Sequence, residues 1–429
     1  MNVWINNPFD NLPGEGRRPQ RYYLLCRALA KAGHAVTWWS SDFSHATKRF
    51  RRLPPVYDAP EGFRVRLVPT LPYFDNIGLR RARSHRRYAA DWEEMALDGV
   101  AHGAFPKPDL VLTSWPPMET AAVARRFRDR WGCKVVVDVM DAWPENFARL
   151  IPGPAWLRDI LWRILCAGPI RQARRAYREA DAVSAVGVTY LGLAMRYGCR
   201  APRHLCYHGI MRMNNGATRY SLDETEPLRL IYVGNMGRSY DLPTVVRAVR
   251  DLYARGENIR LDLAGTGPRE PLLRREAAAC PAIRFHGYLS NEDMQQLLAD
   301  SDLAVVPMFP DSRVAVPYKL ADYTAAGLPM LCCLTGETQA LIERYGAGSQ
   351  YRAGDQADFT RALTAYLHQR SRLTREALAS ARLARESFMM DTIYPEFVRF
   401  LEEVCRCQEG KTQRDAEGPK AETPETKTL

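Results

Sequence analysis

Lys319 and Asp322, three residues apart, could hold a charged ligand: they fall on one face of a helical first turn. Pro317, whose fixed φ suits such a turn, precedes them, and Gly327 with Pro329 ends the segment. The apolar run Leu303–Val306 just upstream reads as a buried parallel strand. A helix that begins beyond the carboxyl end of such a strand offers unpaired N–H groups and its dipole to phosphate. The lysine adds a full positive charge, and a carboxylate one turn later can accept hydrogen bonds from a diol such as a ribose. As bare spacing, the pair would serve equally well as a surface ion pair. The ligand that uses all of these parts is a sugar nucleotide.

Three further segments are placed to share that edge. Gly234-Asn235-Met236-Gly237-Arg238 follows one apolar run, Gly265-Thr266-Gly267-Pro268 the next, and His286-Gly287-Tyr288 a third. Glycines at the carboxyl ends of parallel strands let a ligand approach the backbone. Each loop alone is also what a tight turn requires, and His286 alone could be a hydrogen-bonded core histidine. Four such loops in register are a stronger signal.

The elements that must position these loops are alternating strands and helices. The spacing predicts strands at Val3–Asn6, Ala35–Trp39, Phe63–Val68, Leu110–Thr113, Val135–Val139 and Ala182–Val186, with a glycine loop (Gly14, Gly16) and a helix over Gln20–Ala32 after the first. This describes one parallel sheet covered on both faces. A second strand, glycine loop and helix begins at Arg229, followed by strands at Arg260–Ala264, Ile283–Phe285, Leu303–Val306 and Met330–Cys333. The fold class is α/β with two Rossmann-like halves. The expected divisions are a first domain over 1–208, a linker over 209–227, a second domain over 228–387, a helix over 388–407 crossing back to the first domain, and a disordered, aromatic-free tail over 408–429.

The 429 residues carry a net charge of +11, unevenly shared: residues 1–210 hold 32 Lys and Arg against 19 Asp and Glu, the remainder 28 against 30. A basic first half suits nucleic acid or an anionic membrane. No recognisable nucleic-acid motif accompanies it, and no nucleic-acid partner is expected. The ten cysteines form no C-x-x-C pair, which suits reduced, structural thiols. The start of the chain lacks the plan of a signal peptide and no run of about 18 apolar residues occurs. The expected location is cytoplasmic, or peripheral on the inner face of the plasma membrane. Asp300-Ser301-Asp302 has the D-x-D form of metal-dependent transferases, but it precedes a strand rather than following one, so no metal site is expected.

Two basic stretches stand out. Arg80–Arg87 holds five arginines, and Trp156–Tyr177 sets Trp156, Ile160, Ile164 and Leu165 at helical spacing among arginines. The second pattern fits a membrane-surface helix or a core-facing helix with a solvated arginine face.

The segments Y-V-G-N-M-G, L-A-G-T-G-P, F-H-G-Y and P-Y-K-L-A-D-Y-T-A-A-G-L-P-M occur in the order found in the retaining glycosyltransferases of family 4, which the chain resembles from Asn2 to about Phe400. P-G-E-G-R-R-P-Q-R-Y, P-D-L-V-L-T-S-W-P-P and D-V-M-D-A-W-P-E resemble the branch that builds bacterial surface polysaccharides. The resemblance implies a GT-B fold, with a cleft between an acceptor-binding and a donor-binding domain. It implies that Asp322 holds the donor ribose and Lys319 the diphosphate. Val314, Ala315 and Val316 would offer backbone amides to phosphate or sugar. Gly265 and Gly267 would lie near the nucleotide, His286 and Gly287 near the base, and Asn235, Gly237 and Arg238 on the donor. Gly14 and Gly16 would close over the diphosphate, and Asp141 would contact the transferred sugar or the acceptor hydroxyl. The first of the family's two glutamates falls on Val314, with Asp311 the nearest carboxylate. The implied activity is metal-independent transfer of a hexosyl or N-acetylhexosaminyl group from a UDP- or GDP-sugar to a lipid-linked or oligosaccharide acceptor, with no cofactor. A nucleotide-sugar epimerase of the same architecture and a nucleic-acid-binding protein are the alternatives.

Overall fold

The computed structural model describes residues 1–76, 78–213, 225–278 and 280–406. Most of the expected linker and the whole expected tail lie outside the described residues.

The first domain is built on β1 (Asn2–Asn6), β2 (Ala35–Ser41), the ribbon β3 (Phe43–Ser44) with β4 (Arg49–Phe50), β5 (Val56–Ala59), β6 (Phe63–Val68), β7 (Leu110–Trp115), β8 (Lys134–Val139), β9 (Ala182–Ala185) and β10 (Arg203–Leu205). Its eight-stranded sheet has the order β10-β9-β8-β7-β1-β2-β6-β5. The helices are α1 (Arg21–Lys31), α2 (Leu79–Ala101), α3 (Met118–Trp131), α4 (Ala155–Leu165), α5 (Ala167–Glu179) and α6 (Val188–Arg196). Central strands such as β7 are buried at every residue, as apolar runs covered on both faces must be.

Two sequence expectations are corrected here. The sheet is not wholly parallel: β5 pairs antiparallel with β6 through a tight turn at Gly62. Its flanking prolines and exposed side chains belong to an edge strand, which lacks the apolar run that marks a central one. Trp156–Tyr177 is not one helix but two, α4 and α5, meeting at Cys166. Pro169 has no N–H to offer the carbonyl four residues back, and its ring clashes there; the Ile170 N–H bonds the Cys166 carbonyl and opens the new helix.

The second domain contains β11 (Leu228–Val233), β12 (Ile259–Ala264), β13 (Ile283–Gly287), β14 (Leu303–Val306), β15 (Met330–Cys332) and β16 (Gly348–Gln350), all parallel in the order β13-β12-β11-β14-β15-β16. Its helices are α7 (Leu242–Ala254), α8 (Glu270–Ala277), α9 (Asn291–Ala299), α10 (Tyr318–Ala325), α11 (Glu337–Tyr345), α12 (Gln356–Leu367) and α13 (Ser371–Ser387). A last helix, α14 (Met390–Arg406), leaves this domain. Its Ile393, Tyr394, Phe397 and Leu401 pack into the first domain's core with Tyr22, Leu25 and Leu29 of α1. The outgoing and returning crossings run side by side: Ile210 N–H donates to the Phe388 carbonyl at 2.8 Å, and Met390 N–H to the Ile210 carbonyl at 2.9 Å.

One polar knot ties this arrangement. Arg21, fully buried at the start of α1, grips Asp138 of β8 with Nε at 2.7 Å and Nη2 at 2.9 Å. Its Nη1 donates to the carbonyls of Cys206 and Tyr207, and the Arg21 carbonyl accepts from the Tyr394 hydroxyl of α14. Tyr22 and Ser184 donate to the same carboxylate. Burial pushes the Asp138 carboxyl up, but the Arg21 charge and these hydrogen bonds hold it below the usual range.

Candidate functional site

In the second sheet the connections run outward in both directions from the neighbouring strands β11 and β14. A crevice opens at such a switch point, beyond the carboxyl ends of the strands. The loop after β11 is zipped to the loop after β14: Asp241 N–H donates to the Pro307 carbonyl at 2.6 Å and Phe309 N–H to the Ser239 carbonyl at 3.0 Å. Pro317, extended at φ −76° and ψ 149°, turns the chain into α10, whose first turn has no side-chain cap.

Lys319 projects from that turn into the crevice. Its ammonium lies 4.2 Å from the Tyr232 ring centroid and 4.1 Å from that of Tyr240. Gly234 makes room for it, since a Cβ there would sit 3.2 Å from Nζ. The group is buried and has no hydrogen-bond partner among the described residues. Burial pushes it down to about 7, although Asp322 works in the opposite direction. An ammonium among ring faces, without an acceptor, at an uncapped helix start is a place prepared for an anion.

Asp322 does not pair with Lys319. Its Oδ2 accepts from Arg18 Nη1, which arrives from the first domain, and Arg17 reaches the Tyr288 hydroxyl at 3.3 Å. Both arginines end the loop that holds Gly14 and Gly16, at φ +89° and +61°, a region that favours glycine. Glu15 stiffens this loop by accepting from Leu12 N–H and from Arg51. The glycines are thus the bends of an arm, and the arginines are its hand across the cleft. Sequence reasoning named the bends and passed over the hand, although Arg17 and Arg18 stand directly after Gly16. Beside the Arg18–Asp322 contact lies a cavity of about 420 Å³, lined also by Ile210, Arg212 and Asn291, within the size range of small-molecule pockets.

The other expected residues are placed as follows. Gly265, at φ +120°, and Gly267 are required by the neighbouring loop, because a Cβ would lie 2.0 Å from the Gly234 carbonyl oxygen or 2.6 Å from Met236 N. Their identity is accounted for by two loops packing at the crevice. Asn235 and Arg238 are exposed beside Gly237, and the Asn235 carbonyl accepts from the Tyr232 hydroxyl at 2.6 Å. His286 turns to buried Asp262, 2.7 Å away, and the Gly287 carbonyl accepts from Gly265 N–H. Ala315 N–H donates to the Tyr190 hydroxyl of the first domain at 3.3 Å, with Val314 and Val316 on either side and Val316 buried. Asp302 of the D-x-D form is buried and bound to Arg229 at 2.7 Å, and no group of metal-ligating side chains occurs among the described residues.

On the facing wall Asp141 follows β8. Its Oδ1 accepts from Ala142 N–H and Asn146 Nδ2, while Oδ2 accepts from Trp143 Nε1 at 3.1 Å. Burial pushes this carboxyl up, with the three donors pulling against it. Arg81 of α2 lies over Trp143, 5.1 Å from the ring centroid. Glu337, unnoticed in the sequence, spans the domains: it opens α11 and accepts from Val188 N–H, Thr189 N–H and the Tyr207 hydroxyl.

No protein of curated function matches the chain in sequence. Residues 227–369 match the family model described as glycosyl transferases group 1. A sucrose-phosphate synthase from Thermosynechococcus elongatus superposes with a TM-score of 0.69 at 14% identity, covering 95% of this chain and 100% of its own. Anabaena HepE in complex with UDP-glucose gives 0.62 at 14% identity, covering 94% and 100%. WaaG, a glycosyltransferase involved in lipopolysaccharide biosynthesis, gives 0.62 at 13% identity, covering 93% and 99%. The chain has the GT-B fold of glycosyltransferases, and its second domain matches the group 1 glycosyl transferases.

Proposed function

We propose that the protein is a retaining glycosyltransferase of family 4 that moves a sugar from a nucleotide diphosphate donor to a hydroxyl of a lipid-linked glycan. The observation that carries this reading is the buried, unpartnered ammonium of Lys319 at the uncapped start of α10. The donor diphosphate lies against it, the ribose takes the free oxygen of Asp322, and Arg18 stays on the other. The base lies near Gly265, Gly267, His286 and Gly287, and the phosphates near Gly14, Gly16, Asn235, Gly237, Arg238 and the loop Val314–Val316, where the Ala315 amide is already held by Tyr190. As the bond from the sugar to the diphosphate breaks, Lys319 and the helix amides take up the leaving charge. The acceptor hydroxyl bonds to the sugar from the same face and its proton passes to the leaving diphosphate. No metal is required for that balance. Asp141 Oδ2 carries a single donor and has a lone pair for the acceptor hydroxyl. A UDP- or GDP-hexose is the donor expected, and assembly of bacterial surface polysaccharide is the setting.

The test is thermal unfolding of the full chain against a panel of sugar nucleotides. One donor at about a hundred times its Kd should stabilise by about 2.7 kcal/mol. No shift with any nucleotide would overturn the reading. Asp322→Ala should weaken that donor about 10- to 100-fold by titration calorimetry, since hydrogen bonds to a charged group contribute about 1.5–3 kcal/mol. Unchanged affinity would remove Asp322 from the site.

A further inference from the structure

Helix α4 turns an apolar row to the surface of the molecule. Seven of its eleven residues are large and apolar, yet none of its described side chains is buried. Trp156 is 66% exposed, Ile160 51%, Ile164 65% and Leu165 68%. A row of this kind on a soluble face marks something that covers it. Arg158 and Arg163 stand within the row, and exposed Arg171, Arg174 and Arg175 continue along α5. The helix is fixed at the cleft: Trp162 Nε1 donates to the Pro144 carbonyl at 3.1 Å, in the loop that begins at Asp141. On the other flank of that loop, past Arg81, Phe74 and Leu79 are also exposed and lead into the arginines of α2.

We infer that α4 is a membrane-docking wedge, which lies in the headgroup layer of an anionic bilayer beside the acceptor side of the cleft. Charge selects this occupant. A second copy would set these arginines against their own kind, with Asp159 the one acid of α4 to meet them, whereas anionic lipid supplies the opposite charge to the arginines that outnumber it. An interfacial helix of this type buries its apolar row by about 5–10 Å while its basic residues stay among the headgroups. The inference rests on the lipid-linked acceptor for its purpose, but its geometry is independent of the donor site.

The experiment is sedimentation of the full chain with phosphatidylcholine vesicles, with and without phosphatidylglycerol, at low and high salt. The protein should pellet with the anionic vesicles and lose binding as salt rises. The double variant Ile160→Ser/Ile164→Ser, which removes only exposed apolar groups, should lower the partition about tenfold or more, from the transfer energy of two such side chains. Trp156→Phe should lower the quenching of protein fluorescence by brominated lipid, leaving the smaller share due to half-buried Trp162. A wild-type chain that stays in the supernatant, or a double variant that pellets equally, would overturn the docking. A dimer dissolved by the double variant, without vesicle binding, would assign the face to a second copy and overturn it too. Thermal shift by the donor should be the same in wild type and double variant. Loss of that shift in both would sink the sugar-transfer reading while leaving the vesicle result to stand.

Discussion

Lys319→Met is expected to raise the melting temperature of the free protein and to abolish its stabilisation by donor. Both effects follow from one ammonium held between Tyr232 and Tyr240 with no acceptor. A buried polar group without a partner costs about 1–3 kcal/mol, more when charged, and methionine fills similar space without that cost. Each kcal/mol recovered moves the transition by about 2–4 °C in a domain of this size. The pH dependence has a definite sign. The folded ammonium is pushed down to about 7, below its unfolded value. Between those values the unfolded chain holds the proton and the folded one does not, so stability rises with pH there. The advantage of methionine is therefore greatest at or below pH 7 and shrinks towards pH 10. A diphosphate beside Lys319 restores its proton, so donor binding at pH 8 should take one up. Calorimetry in two buffers of different ionisation enthalpy reads this directly. A variant less stable than wild type at pH 6, or one that still binds donor normally, would refute the account.

Arg21→Met should be the most destabilising single change outside the apolar cores, at about 3–5 kcal/mol, because it leaves the Asp138 charge buried without its partner. It also removes the donors to the Cys206 and Tyr207 carbonyls. In the wild type the Asp138 carboxyl lies below the usual range. Its contribution is present above the unfolded value of about 3.9 and is lost as the pH falls through the lower folded value. Without Arg21, burial raises this carboxyl instead, and stability should fall as pH rises from 5 to 8. Adding Asp138→Leu should recover part of the loss, since apolar residues can replace a buried pair. Urea unfolding at both pH values distinguishes the cases; a single variant within 1 kcal/mol of wild type (roughly the level of an ordinary surface substitution) would contradict the role.

Much of the fold was legible in the sequence because its signals are local. Strands such as Val135–Val139 are valine-rich runs, interrupted there only by Asp138, and Gly327 with Pro329 marks the end of α10 wherever that helix lies in space. Lys319 could be singled out in the sequence from a proline, a strand and a spacing, as a group placed at the start of a helix beside a strand end. Its aromatic box could not, because Tyr232 and Tyr240 come from another strand and loop. The Lys319–Asp322 spacing also invited a pairing that the fold refuses, since Arg18 claims the carboxylate from 304 residues away. The wedge helix shows the same limit: amphipathic spacing reports that a face exists, but burial decides what the face meets.

The last helix belongs to the core of the first domain, and this affects how the molecule is made. A ribosome delivers residues in order, and domains ordinarily fold as they emerge. Here the first sheet leaves the tunnel with the groove over α1 open, where Tyr22, Leu25 and Leu29 await residues 393–401. The entire second domain must be synthesised before that groove is filled. The nascent chain therefore carries an apolar slot through most of its synthesis, and completion of the first domain is timed by the arrival of the second.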